Sequence, residues 1–111
     1  MNEIFSQSVE NLALKIKNSE LTSVELCEKY IERIDEFEQE VKAWAFFDKK
    51  ILLEKAQEAD DYRSSGKPIG FLHGIPVAVK DIIGTVEMPT ECGTRIRKGT
   101  SYSQNAEIID L

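Results

Sequence analysis

Apolar residues return every three or four positions through the first 64 residues and then give way to a continuous run, and the two rhythms predict two kinds of structure. Val9, Leu12, Ala13 and Ile16 follow Ser6 and Ser8 at helical spacing and stop near Asn18-Ser19, which predicts a short amphipathic helix. Thr22-x-x-Glu25 is a capping box, in which the hydroxyl and the carboxylate each satisfy the other residue's backbone N–H, and Leu21 with Leu26 supplies the hydrophobic staple across it. Leu26, Cys27, Tyr30, Ile31, Ile34 and Phe37 then share one face of a helix that runs to about Glu38. Residues 41–47, VKAWAFF, are aromatic and β-rich and predict a strand. Asp48 is placed to cap a third helix with Leu52, Ala56, Ala59 and Tyr62 as a thin inner stripe. Ser64-Ser65-Gly66-Lys67-Pro68 ends that helix.

The continuous run is residues 75–79, IPVAV, which follows Gly74 and predicts a strand buried on both faces of an α/β sheet. It leads straight into Lys80-Asp81, and Ile82-Ile83 resume the apolar character. Residues 84–99 read as loop, and residues 103–111 as the opening of a helix capped by Ser103, with Ala106 and Ile109 inward. The elements describe one partial domain over 1–111: a helical region over 1–64 with one strand near 41–47, then a lysine-bearing strand, a loop and the start of a helix over 65–111. No internal repeat or low-complexity tract supports a solenoid or fibrous architecture.

Charge narrows the partners. The net charge of −6 belongs to residues 1–64, because acids and bases balance over 65–111. An acidic half without a basic face argues against nucleic acid or an anionic membrane as a direct partner. The two cysteines, Cys27 and Cys92, form no ligand spacing, so neither a disulfide framework nor a zinc site is suggested and a reducing cytoplasm is the expected setting. The opening residues lack a secretory pattern, and no window approaches the roughly 20 apolar residues of a membrane span. No phosphate loop, dinucleotide fingerprint or metal-binding helix is present, so no cofactor is expected.

An amine at the end of an apolar strand is costly to desolvate, which makes Lys80 the candidate for chemistry; burial can lower a lysine's pKa by as much as roughly 3 to 5 units and free the amine to act as a base. On the strand pattern alone, Lys80 also fits a strand-end lysine at the surface, paired with a carboxylate. Its surroundings decide the matter. Leu72, Gly74, Ile75, Pro76, Val77, Val79, Lys80, Asp81, Pro89, Thr90 and Gly93 keep the order Gly-Ile-Pro, strand, Lys-Asp, Pro-Thr. This pattern resembles the amidase signature family, enzymes that cleave carboxylic amides with a serine, a second serine in a cis peptide and a lysine. Lys80 falls on that lysine.

The resemblance implies an α/β fold of helices packed on a mixed sheet, of which this chain holds the N-terminal part. It also implies that a neutral Lys80 accepts a proton from the cis serine, which activates the nucleophilic serine. The acyl-enzyme then goes to water or ammonia. The family's two serines lie in a Gly/Ser-rich segment downstream of the lysine, and no such segment follows Lys80 here. The 111 residues alone are therefore expected to be inert toward a small-molecule amide and, with an apolar strand uncovered, to self-associate. Ile82 stands where the A subunits of amidotransferases often have asparagine, which tilts the reading toward free-standing amidases. The A subunit of an amidotransferase, and a non-catalytic binding or assembly module on the same scaffold, are the alternatives. Asp81 points away from Lys80 if the strand continues and is expected either to support the lysine's neighbours or to fix a loop; His73 reads as a polar turn residue, Cys92 as a packing or loop residue and Thr94 as a retained hydroxyl.

Overall fold

A computed structural model describes residues 3–111. Four α-helices are present: α1 (Val9–Lys17), α2 (Ser23–Val41), α3 (Lys49–Ser64) and α4 (Glu107–Asp110), with 3₁₀ turns at Glu3–Ser6 and Arg95–Arg97. The chain divides into two compact units, one made of the residues up to Val41 together with Asp48–Val77, the other of Lys42–Phe47 with Ala78–Leu111.

The first unit is helical and holds all the buried apolar side chains among the described residues. Ser8 caps α1 by accepting from Asn11 N–H at 3.2 Å. Ser19, at φ +63°, turns the chain out of the helix while Glu20 N–H donates to Lys15 C=O at 2.8 Å. Leu12 and Ile16 of α1 pack with Leu26 of α2 as the core, and Ile4, Leu21, Tyr30 and Ile75 lie against them. Leu21 and Leu26 thus play the staple that the sequence predicts. Arg33 stacks over both Phe5 and Phe37, 4.9 Å from each ring centre, and ties the first turn to α2.

The start of α2 is the best-satisfied point of the chain. A helix leaves its first four N–H groups without internal partners. Here Thr22 N–H donates to the Glu25 carboxylate at 2.8 Å and Glu25 N–H to Thr22 Oγ1 at 3.0 Å, so the capping box forms as expected. The two groups between them are taken by a residue of α3: Ser23 N–H donates to Asp60 Oδ1 at 2.7 Å and Val24 N–H to Asp60 Oδ2 at 3.0 Å. A buried carboxylate is costly unless paired, and the two N–H groups and the positive end of the α2 dipole together offset that cost. Lys49, at the start of α3, meets Asp35 further along α2 at 2.6 Å, so the two helices run antiparallel; that exposed ion pair itself adds little stability.

From the same point Ser23 Oγ donates to Gly74 C=O at 2.6 Å. Gly74 has φ +80°, and a β-carbon there would lie 3.1 Å from Ile16 Cγ2 and 3.3 Å from Ser23 Cβ, so both conformation and space demand glycine. His73 anchors the same turn, its ring Nε2 donating to Ala59 C=O at 2.7 Å.

Three expectations are corrected. Residues 41–47 and 75–79 form no strand, since among the described residues no segment hydrogen-bonds alongside them, and the expected mixed sheet is absent there. Helix α2 runs on to Val41, three residues beyond the predicted end. Helix α4 begins at Glu107 with Ala106 before it, not at a Ser103 cap. Asn105 Oδ1 accepts from Val86 N–H at 2.9 Å and Ala106 N–H donates to Gly84 C=O at 2.8 Å, which holds the preceding residues extended. Asp48 caps α3 as predicted, accepting from Ile51 N–H at 3.1 Å, and Ser65 with Gly66 closes it.

Asp60→Ala strands two N–H groups at the start of α2 and is expected to cost about 2 kcal/mol in urea unfolding followed by far-UV circular dichroism. Gly74→Ala should cost about 1 kcal/mol or more in the same measurement; an unchanged midpoint for either variant would remove this account of the junction. Burial pushes the Cys27 thiol up, with nearby Asp60 adding to the rise and a hydrogen bond from Ser23 opposing it. The folded thiol therefore ionises later than the unfolded one. Its contribution to stability is complete below the unfolded value of about 8.5 and is lost as pH rises above it. Stability should fall above about pH 8.5 less steeply in Cys27→Ala than in the parent chain. Iodoacetamide should alkylate exposed Cys92 at once and buried Cys27 only on unfolding.

Candidate functional site

The second unit is built on hydrogen bonds rather than on a core: its buried side chains are Thr85 and Thr90, and no large apolar side chain in it is buried. The chain turns sharply after Lys80, whose carbonyl accepts from Ile82 N–H at 2.8 Å and from Ile83 N–H at 3.0 Å. Asp81 holds this turn in place. Its carbonyl accepts from Cys92 N–H at 3.0 Å and its Oδ1 from Glu91 N–H at 2.9 Å. On the other side Thr90 N–H donates to Thr100 C=O at 2.7 Å, and the Glu91 carboxylate accepts from Gly99 N–H at 2.6 Å. Residues 90–92 are thereby fixed between the lysine turn and residues 99–100. The loop-fixing role expected of Asp81 is the one the structure gives it.

Lys80 lines a cavity of about 450 Å³, within the range of small-molecule sites. Residues 43–46 form part of the wall with Trp44 and Phe46, and Val79, Ile83, Met88 and Pro89 supply more apolar surface. Lys80 and Asp81 are the charged residues of the lining. Trp44 packs against Phe47, ring centres 5.8 Å apart, which orients the indole. The Lys80 side chain is exposed and, among the described residues, makes no ion pair with Asp81 or any other carboxylate. The desolvated amine expected from the apolar run is thus not formed, because residues 75–79 that were to bury it make no sheet.

The remaining candidates are given structural work. His73 is held by Ala59 and stacks near Tyr62, as a turn residue. Cys92 is exposed with φ +54°, followed by Gly93 at φ +71°, and turns the loop. Thr94 caps the turn at Arg95–Arg97, accepting from Ile96 N–H. Ser64 and Ser65 close α3, with Ser65 Oγ donating to Tyr62 C=O at 2.6 Å. Among the described residues no cluster of His, Cys, Asp and Glu is arranged to hold a metal, and no helix is long and apolar enough to cross a membrane. The aromatic part of the cavity wall was not legible as such, since Trp44 and Phe46 read as strand residues; an aromatic-rich run just before a cap was the only signal.

The family model for amidases matches residues 25–111. Among curated proteins, the A subunit of glutamyl-tRNA(Gln) amidotransferase from Leptospira interrogans serogroup Icterohaemorrhagiae serovar Lai is 34% identical over 110 residues, covering 99% of this chain and 23% of that protein. The protein of the same name from Chloroflexus aurantiacus is 34% identical with the same coverage. That of Streptomyces avermitilis is 36% identical over 88 residues, covering 79% of the chain and 18% of the relative. These relatives lend no support to the leaning toward free-standing amidases. No solved structure matches. The chain spans about a fifth of the length of the curated relatives it matches. With its lysine run inside the matched region and nearly its full length aligned to these relatives, the chain belongs to the amidase family.

Proposed function

We propose that this chain supplies the lysine of an amide-cleaving site. The observation that carries the reading is Lys80, set at the end of the run from Gly74 to Val79 and lining a cavity of small-molecule size. In the reaction the resemblance implies, neutral Lys80 Nζ takes the proton of a serine hydroxyl and that serine takes the proton of a second. The second serine's Oγ attacks the amide carbonyl. The carbon–nitrogen bond breaks, the amine leaves with a proton, and water or ammonia releases the acyl group. Neither serine is assigned to these 111 residues, so the chain alone is expected to be inert.

In the complete site, residues 41–47 and 75–79 would be strands of the family's mixed sheet and 1–111 one part of a single α/β domain, in a cytoplasmic setting. Without that sheet, exposed Phe71, Val77 and Ile96 favour self-association of the chain. A second reading, one component of an amidotransferase acting on glutamyl-tRNA(Gln), is favoured by the names of the relatives, in which case glutamine would be the amide donor and further subunits the partners.

The test compares ammonia release from simple amides by the 111-residue chain and by the chain extended through the downstream reading frame, each with and without Lys80→Ala. Activity is expected only in the extended protein and should drop by about 10³-fold or more in the variant, the scale of a lost general base. Full activity in the Lys80→Ala protein would withdraw the lysine assignment. Glutamine as the sole effective donor would select the second reading.

A further inference from the structure

We propose that a second copy of this chain docks in the apolar groove beside α1, with the two α1 helices antiparallel across a two-fold axis. The inference is independent of the role given to Lys80, because every residue it uses belongs to the first unit. The groove holds about 570 Å³, room for several side chains. Val9, Ala13 and Leu14 line it from α1, and Ile69, Phe71 and Leu72 from the segment after α3. Phe71 is almost fully exposed, and Val9, Leu14 and Leu72 are exposed as well. Large apolar side chains gathered in one patch mark an interaction surface, as singly scattered ones do not. The other side of α1 is already used, since Leu12 and Ile16 pack on Leu26.

The charges identify the occupant. Glu10 and Lys17 also line the groove, and neither has an ion-pair partner among the described residues. They lie two helical turns apart, roughly 10 Å along the axis, so one face of α1 carries opposite charges at its two ends. An antiparallel copy brings the reverse order: its Lys17 meets Glu10 and its Glu10 meets Lys17. The patch is thus complementary to itself, as a two-fold interface requires. The axis passes between Ala13 and Leu14, midway between the charges, and the short Ala13 side chain lets the helices approach. A copy laid parallel in register sets Glu10 against Glu10 and Lys17 against Lys17, and a partner of one charge sign satisfies one end while opposing the other.

Sedimentation velocity across the micromolar range, where an interface of this modest size is expected to associate, should show the chain as a dimer. Glu10→Lys makes both cross-pairs positive and Lys17→Glu makes both negative, so each variant should dimerise at least about tenfold more weakly. Mixed in equal amounts, the two variants should form a heterodimer of parent-like affinity, because each then meets the opposite charge. Association through apolar surface elsewhere on the chain does not produce that rescue. Leu14→Ser, at the axis, should weaken the dimer by about tenfold with the charges intact. If circular dichroism shows a charge variant unfolded, Leu14→Ser carries the comparison. A chain that stays monomeric, a dimer indifferent to these substitutions, or folded charge variants that fail to associate when mixed overturns the proposal. A dimeric 111-residue chain beside a monomeric protein extended through the downstream reading frame would assign the groove to the downstream segment of the same polypeptide and overturn it as well.

Discussion

The carboxylate of Asp60 at the start of α2 is the constraint on which the first unit depends. It fills the two N–H positions that the Thr22–Glu25 box leaves open, and in doing so it sets α3 antiparallel to α2. The same helix start presents Ser23, whose hydroxyl fixes the carbonyl of Gly74. One junction therefore joins two helices and the turn that precedes the lysine run, with Gly74 six residues ahead of Lys80 in sequence. The apolar contacts of Leu12, Ile16 and Leu26 supply bulk stabilisation without direction. The hydrogen bonds at Ser23 and Asp60 choose among the packings those contacts would tolerate, because an alternative packing leaves buried N–H groups unpaired.

Local signals were readable wherever both partners of an interaction sit within a few residues. The Thr22–Glu25 box, the Asp48 cap, the Ser65-Gly66 stop and the one-sided face of α2 were all recovered at or near their predicted places. Asp60 was not, since its partners lie 36 and 37 residues away and its own helix offers no pattern that distinguishes it from neighbouring Asp61. The strands failed for a related reason. A run such as residues 75–79 announces that its side chains prefer burial, but a strand exists only when another segment takes its hydrogen bonds, and composition says nothing of that. Of the cavity lining, the motif singled out Lys80 and Asp81, whereas the aromatic wall of Trp44 and Phe46 was hidden by its own β-like composition.

The two units differ in what holds them, and the difference bears on the site. Among the described residues every buried large apolar side chain belongs to the first unit, while the second relies on Asp81, Thr90, Glu91 and Asn105 to cross-link its loops. A region with few buried apolar contacts opens at low free-energy cost. The lysine thus stands on a segment that is specified in shape yet weakly held. Each net hydrogen bond contributes only about 1 kcal/mol, so further cover over its apolar surface could shift it readily.

That combination separates what places Lys80 from what surrounds its side chain. On a turn fixed by Asp81 but bordered by open apolar surface, the lysine's backbone position and the solvation of its side chain are set by different parts of the structure. The Asp81 bonds hold the turn, while Val79, Trp44 and Met88 line the cavity beside it.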